Sequence, residues 1–171
     1  MTPVKGIIHP QAFSASRFQV RTIPNGLAAL FRRDLAKFAK QIESFPTDEL
    51  LWQTLPGVIN PAGNLALHIE GNLSEFVGRQ LGGQPYQRNR DLEFSLKEGT
   101  RADLSARLTK LSKSIPAVIE ALNADQLEKE YPQVVLDHPM SIGEFMIHLY
   151  GHLNWHLGYV DYLRRLLTPQ A

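Results

Sequence analysis

Apolar residues recur at steps of three and four along four long segments of the chain, with polar residues between them. This spacing predicts α-helices that bury one face and expose the other. The clearest segment runs from Ser141 to Leu167, and the capping box of Ser141 and Glu144 marks its start. Its apolar positions are Ile142, Phe145, Met146, Leu149, Leu153, Leu157, Val160, Leu163 and Leu167.

Two earlier segments follow the same rule. The first predicted helix has Asn25 as its cap and extends to about Phe45. The second has Asn60 as its cap and Pro61 in its first position, an order that suits a helix start. It extends to about Leu81, where two glycines favour a stop.

The third predicted helix begins with a capping pattern at Thr100 and extends to about Asn123. Pro116 lies within it and predicts a kink or a restart of the helix. Residues 82–99 form a long connection between the second and third helices. Residues 125–140, before the last helix, are predicted to be irregular.

Four amphipathic helices with little strand signal predict an all-α fold, a four-helix bundle with a long connection between helices two and three. We expect one domain over residues 1–171, in which residues 1–24 form an irregular arm. The remaining local predictions are an extra helical turn at 48–52 and a short extended piece at 133–136.

Composition narrows the class of protein. The chain has 171 residues, 43% of them hydrophobic, which suits a soluble domain with a sizeable core. Its 18 basic and 17 acidic side chains give a net charge of +1, so no nucleic-acid partner is expected. No apolar run is long enough for a signal peptide or a membrane span, and a cytoplasmic location is therefore expected. Because the chain has no cysteine, nitrogen and oxygen ligands would hold any metal.

Three histidines, His148, His152 and His156, lie four residues apart in the last predicted helix. Neighbours at this spacing share one helix face, about 6 Å apart along the axis, so two of them can bind one metal ion. All three cannot easily do so, because about 12 Å of rise separates the first from the third. Spacing alone leaves both neighbouring pairs open.

A further ligand would come from another helix, and His68 lies at the edge of the inward face of the second helix. Side chains on facing helices build such sites in helical bundles. Asn72, one turn further along, and Tyr159, near the last histidine, are candidate polar contacts. The alternative is that the histidines only pack or form hydrogen bonds within the protein.

The long connection carries Tyr86, Arg88 and Arg90 in a short space. One interpretation is a rim that receives an anionic or polar ligand, with arginine as a clamp for a carboxylate or phosphate. The other is a loop with surface ion pairs. The carboxylates nearest to the histidines, among them Glu93, have no spacing that marks a general base.

These features resemble the DinB-like superfamily, which includes thiol-dependent transferases and many metal-binding proteins of unknown activity. The stretch HLYGHLNWHLGYVDYL, residues 148–163, is similar to its last-helix motif, in which a glycine follows two histidines spaced by four residues. His152, His156 and Gly158 match that motif. The stretches HIEGNLSEFVGRQLGG and PYQRNRDLEFS resemble one uncharacterised branch, and the resemblance covers residues 26–167.

The resemblance implies that His68, His152 and His156 are the metal ligands. His148 matches a histidine that is often present in the family but is not a ligand, and it stays a candidate for contacts around the site. The resemblance further implies zinc or nickel with positions open to water, a low-molecular-weight thiol as cosubstrate, and a homodimer. One departure is that leucine, glycine and tyrosine follow the last histidine, where many family members have arginine, glycine and glutamine. Contacts to the substrate would differ accordingly.

Three functional hypotheses follow. The first is a divalent-metal-dependent enzyme that hydrolyses a small molecule or transfers a group to or from a thiol, because three histidines leave one zinc position open. It is not a thermolysin-type protease, because the glutamate of H-E-x-x-H is missing. The second is a non-catalytic bundle that binds a metal or a small ligand. The third is a structural or dimerising bundle without metal.

Overall fold

The computed structural model describes residues 22–168, so the predicted arm lies outside the described residues except for its last three positions. Within this range the protein is all-helical, as predicted, and has no strand. No described helix is both long enough and apolar enough to cross a membrane. The α-helices are α1 (Ile23–Glu43), α2 (Ala62–Leu73), α3 (Arg90–Ser95), α4 (Arg101–Glu120), α5 (Ala124–Leu127) and α6 (Ile142–Leu167).

The four long helices α1, α2, α4 and α6 enclose the hydrophobic core. α1 packs most extensively against α4 and also contacts α6, while α2 packs against both α4 and α6. Burial of one large apolar side chain contributes about 1.5–3 kcal/mol. The largest fully buried side chains include Phe31, Phe38, Phe45, Phe145, Leu35, Ile42, Ile69, Leu73, Leu108, Ile115 and Ile119. The contact between α2 and α6 positions the candidate site.

Caps set the starts of the long helices. Ser141 accepts a hydrogen bond from the backbone N–H of Glu144 over 3.1 Å, which is one of the two bonds of the predicted capping box; the reciprocal bond from the Ser141 N–H to the Glu144 side chain is not among the described hydrogen bonds. The predicted cap of α1 was wrong, because the helix begins three residues earlier. Thr22 is the cap, its hydroxyl accepts from the N–H of Asn25, and Pro24 fits the first turn.

The second helix changes its winding near its end. It begins at Ala62, one position after the predicted Pro61, and continues beyond Leu73 as a π-helix over Ser74–Arg79. It therefore ends at Arg79, two residues before the predicted Leu81, and turn residues lead on to the two predicted glycines. Gly83 has a φ of +62°, which favours glycine, and a Cβ at Gly82 would overlap a valine side chain of α4.

Two short helices, α3 and α5, were not predicted, so the count of four helices was wrong. Each begins at an asparagine cap: Asn89 accepts from the N–H of Leu92 over 3.2 Å, and Asn123 forms a capping box with Gln126. With six and four residues, these helices are too short to show an amphipathic period. The connection at 82–99 is therefore partly helical, and α3 packs against α2.

Three smaller predictions had different outcomes. The expected extra turn is present as a 3₁₀ helix at Glu49–Leu51. α4 runs through Pro116 without a restart. The predicted extended piece is instead a tight turn, in which an isolated bridge joins Val135 to His138 and the two residues between them have positive φ.

Candidate metal centre

Three histidine side chains from two facing helices meet between α2 and α6. His68 lies within α2 and is 7% exposed, while His152 and His156 lie one turn apart on α6 and are half-buried. The Nε2 atom of His152 lies 3.2 Å from Nε2 of His68 and 3.0 Å from Nε2 of His156. One ring nitrogen from each residue lies within 4.8 Å of the other two. These are the three histidines that the family resemblance implies as ligands.

The spacing of these nitrogens fits a shared metal ion. Imidazole nitrogens bind zinc at about 2.0–2.1 Å, so neighbouring ligands lie roughly 3.3 Å apart around a tetrahedral ion and roughly 2.9 Å apart around an octahedral one. The observed separations of 3.2 and 3.0 Å fall within this interval. Imidazole donors suit zinc, copper, iron and nickel. This group could therefore hold a divalent ion.

The protonation of the cluster also suits a metal. Burial, together with the neighbouring imidazoles, lowers the pKa of His152 to about 3. Burial, together with the proximity of His68, lowers the pKa of His156 to about 4. Both rings are therefore neutral near pH 7 and each keeps a nitrogen lone pair, which is the form that binds metals.

Glu93 of α3 contacts His68 on the side of the ring away from the cluster. Its carboxylate is 5% exposed and accepts a hydrogen bond from Nδ1 of His68 over 2.8 Å. Arg88 donates two hydrogen bonds of 2.6 and 2.8 Å to the same carboxylate. Although burial raises the pKa of Glu93, the hydrogen bonds from Arg88 and His68 outweigh it and hold that pKa below its usual range.

Two other candidates from the sequence lie on the same two helices as the cluster. Asn72 is buried, and its Oδ1 atom has no hydrogen-bond partner among the described residues. His148 is exposed and stacks 6.3 Å from the ring of His152, outside the group that could hold a metal. The pair that meets His68 is therefore His152 with His156, a choice that spacing alone left open.

The candidates in the long connection face different partners. The guanidinium of Arg88 is occupied by Glu93, a carboxylate of the protein itself. Arg90 is exposed at the start of α3, and its guanidinium lies 5.5 Å from the centre of the Phe94 ring. Tyr86 lies at the surface and lines three grooves, and partial burial raises its pKa. Of the two arginines, Arg90 is the one presented to solvent.

Sequence analysis assigned no site role to the residues of α3 that contact His68. Glu93 follows His68 by 25 residues, and no spacing rule connects positions so far apart. The ring of Phe94 packs 4.9 Å from the ring of His68. Asn64 donates hydrogen bonds of 2.8 Å to the backbone oxygens of Glu93 and Leu96 and so fastens α3 to α2. The asparagine cap of α3 could have indicated the helix but not these contacts.

An open cleft of about 240 Å³ borders the cluster at His156. One wall contains Trp155 and Tyr159 of α6, whose rings lie 5.6 Å apart. Leu65 and residues 57–60 complete the lining, and none of these described lining residues is an acid, a lysine or an arginine. A small uncharged molecule in this cleft would lie next to the cluster.

An all-helical fold with a three-histidine group between two facing helices defines a class of small helical proteins that could hold a metal ion. This chain belongs to the DinB superfamily, whose sequence profile matches residues 30–160. The predicted resemblance is thereby confirmed, and the matched range contains the three histidines and Glu93. No curated protein was found to match the chain.

Proposed function

We propose that the protein is a divalent-metal-dependent enzyme, built on a DinB-type bundle of four long helices, that acts on a small molecule. The reaction is hydrolysis or thiol-dependent group transfer. One observation carries the proposal: His68, His152 and His156 converge on one point beside an open cleft. Three protein ligands leave a position for water or substrate, as in catalytic zinc sites. Zinc or nickel bound there would lower the pKa of a water or of a low-molecular-weight thiol toward neutrality.

The chain itself would supply binding and orientation. Trp155 and Tyr159 offer an aromatic wall against which an apolar part of the substrate packs. The hydroxyl of Tyr159 and the side-chain amide of Asn60 offer hydrogen bonds in the same cleft. Because His156 belongs to both the cleft and the cluster, a molecule bound in the cleft would lie beside the metal.

One observation favours a second candidate function, a non-catalytic bundle that binds a metal or a small ligand. The described residues that line the cleft include no carboxylate and no lysine, and His156 would be occupied as a metal ligand, so the lining offers no evident general base. Such a protein would bind the same ion at the same histidines. It would differ from the enzyme in showing no turnover when the metal is present.

The test begins with the metal content of the untagged full chain, beside His68→Ala and His156→Ala variants. We expect about one equivalent of zinc or nickel in the parent and none in either variant, because two imidazoles hold an ion far more weakly than three. His138→Ala is the matched control, since this exposed histidine lies outside the cluster. The loaded protein is then screened for hydrolysis and for thiol transfer.

The outcomes separate the candidates. Metal that is lost in both variants, together with turnover that requires the metal, supports the enzyme. Metal without turnover across the screen supports the binding protein. A parent that takes up neither zinc nor nickel contradicts both.

We also propose that two copies of the chain associate through the outer face of α6. Four large apolar side chains of this helix are at least 65% exposed, and exposed apolar surface of this kind often marks interaction sites. A two-fold contact would cover the same face on both copies. The residues are Ile147, Trp155, Tyr162 and Leu166.

Sedimentation equilibrium tests this association. We expect a dimer for the parent and a monomer of unchanged helicity for the Tyr162→Glu, Leu166→Glu double variant. A parent that stays monomeric at high protein concentration contradicts the proposal.

A further inference from the structure

We propose that Glu93 is a positioning residue of the metal centre, which fixes the tautomer and the orientation of His68. Arg88 and the missing side chain at Gly71 keep Glu93 in its place. The inference rests on the proposed three-histidine site, and it extends that site into the connection between α2 and α4. The argument depends on hydrogen-bond direction, on anchoring and on the space available at position 71.

Hydrogen-bond direction determines the tautomer of His68. Arg88 donates to both oxygens of Glu93, at 2.6 and 2.8 Å, so the carboxylate is ionised and can only accept. Nδ1 of His68, 2.8 Å from the same carboxylate, must then carry the proton. Nε2 is left with its lone pair, 3.2 Å from Nε2 of His152. This is the tautomer that a ligand binding through Nε2 needs.

The anchoring of α3 makes this contact rigid. Two hydrogen bonds from Asn64 hold the backbone oxygens of Glu93 and Leu96, each over 2.8 Å. The ring of Phe94, which also belongs to α3, packs against the ring of His68 on α2. Glu93 is therefore fixed through its backbone as well as through its side chain, and it can hold the imidazole in one orientation.

Gly71 gives independent support from α2. It follows His68 by three residues, and a Cβ at this position would overlap the carboxylate of Glu93. The backbone of Gly71 is not in the left-handed region, so its conformation does not require glycine. What the glycine provides is space for the carboxylate beside His68.

The hydrogen bond to Glu93 distinguishes His68 from the other two histidines of the cluster. The Nδ1 atoms of His152 and His156 are buried and have no hydrogen-bond partner among the described residues. Of the three Nδ1 atoms, only that of His68 is paired in the part of the chain that the structure describes. His68 is therefore the ligand whose direction the protein sets before a metal arrives, and its loss of orientation should weaken binding at the whole site.

The experiment uses the full chain and two readouts. In metal-free protein, nitrogen-15 NMR of the imidazoles reports the tautomer of His68; we expect Nδ1–H in the parent and a mixture in Glu93→Gln. Zinc affinity, measured by competition with a chromophoric chelator, should fall about 10- to 100-fold in the variant. Glu98→Gln, at an exposed position in the same connection, is the matched control and should keep parental values.

Two further variants keep the test informative if Glu93→Gln fails to fold. The double variant Glu93→Gln, Arg88→Gln removes both charges, so no buried charge is left unpaired. Gly71→Ala displaces Glu93 without changing its chemistry, and we expect the same change of tautomer and a similar loss of affinity. Gly26→Ala is its control, because a Cβ there meets no described atom within 4 Å.

The results separate this inference from the proposed function. A folded double variant with the parental tautomer and the parental zinc affinity overturns the positioning role. A parent that shows the expected tautomer, loses it in the variants and yet binds neither zinc nor nickel supports the placement of His68 by Glu93 and overturns the proposed function alone.

Discussion

Two buried carboxylates in this protein have almost the same partners but different surroundings. Asp34 of α1 is 1% exposed and receives two hydrogen bonds from Arg33, of 2.7 and 2.8 Å, and one of 2.7 Å from the hydroxyl of Tyr150 on α6. Arg33 also donates to that hydroxyl over 3.0 Å. The three residues, here named the Asp34 cluster, satisfy one another and link α1 to α6.

Glu93 has the same kind of arginine fork and a similar third partner. Arg88 takes the place of Arg33, and Nδ1 of His68 takes the place of the tyrosine hydroxyl. These three residues, here named the Glu93 cluster, do not close on themselves. The far nitrogen of His68 points at His152, whose own Nδ1 is buried without a partner among the described residues.

The two clusters differ in whether their polar groups are all paired within the protein. A fully satisfied buried network needs nothing further and acts as a link between helices. A network that ends in convergent ring nitrogens has acceptors that could bind a further group, and the three histidines could hold a metal ion there. We therefore infer that the Asp34 cluster serves stability and that the Glu93 cluster belongs to the candidate metal centre. The following predictions test that division, from the largest expected effect to the smallest.

The largest effect should come from His152→Ala. This residue supplies the central nitrogen of the cluster, within 3.2 Å of both others, and its removal should abolish zinc binding. His148→Ala should still bind zinc, because its exposed ring lies outside the group. Isothermal titration of each metal-free variant with zinc measures its zinc affinity. Equal losses in the two variants would contradict the assignment of the ligands.

Asp34→Ala should lower the free energy of unfolding by about 3 kcal/mol, because it removes the acceptor of three hydrogen bonds, two from Arg33 and one from Tyr150. Zinc affinity should not change, since the Asp34 cluster has no contact with the three histidines in the hydrogen bonds of the structure. Urea denaturation gives the stability, and a chelator competition gives the affinity. A tenfold loss of zinc affinity in a folded Asp34→Ala variant would contradict the separate roles of the two clusters.

Acid should remove the contribution of Asp34 to the free energy of unfolding. Although burial raises the pKa of Asp34, the hydrogen bonds from Arg33 and Tyr150 hold it at about 2, below the ordinary value of 3.8. The carboxylate therefore stabilises the fold fully above about pH 4, and this stabilisation, about 2 kcal/mol, is lost as the pH falls from about 4 to 2.

Urea denaturation of the parent and of Asp34→Asn, repeated at several pH values, measures this loss as a shrinking difference between the two. Other acidic groups titrate in both proteins and cancel in the comparison. A difference that stays constant down to pH 2 would show that Asp34 is not held ionised in the fold.

The smallest effect should come from Tyr150→Phe. It removes one hydrogen bond to Asp34 while the fork from Arg33 remains, so the free energy of unfolding should fall by about 1 kcal/mol. The same denaturation measurement applies. A loss as large as that in Asp34→Ala would mean that the hydroxyl, rather than the arginine, supplies most of the stabilisation from the Asp34 cluster.

The sequence predicted the features that local patterns encode. The boundaries of α6 follow from a capping residue and an unbroken apolar period, and Ser141 occupies its predicted position. The histidines of α6 share a face because of the helical pitch, and the family resemblance named His68 as their partner. All of this depends on residues within one helix or on a known motif.

The features that were missed depend on contacts between distant parts of the chain. Glu93 reaches His68 only because α3 folds back on α2, and Asp34 meets Tyr150 across 116 positions. Neither pairing leaves a period in the sequence. Gly71 shows the same limit, because its need for glycine arises from the carboxylate of another helix.

The central claim, that His68, His152 and His156 together hold one divalent ion, is tested most directly by anomalous diffraction. Crystals of the zinc-loaded full chain would be measured above and below the zinc absorption edge. We predict one strong peak per chain, about 2.0–2.1 Å from a ring nitrogen of each of the three histidines. No peak at this cluster, or a peak that lies on His148 instead of His68, would contradict the account.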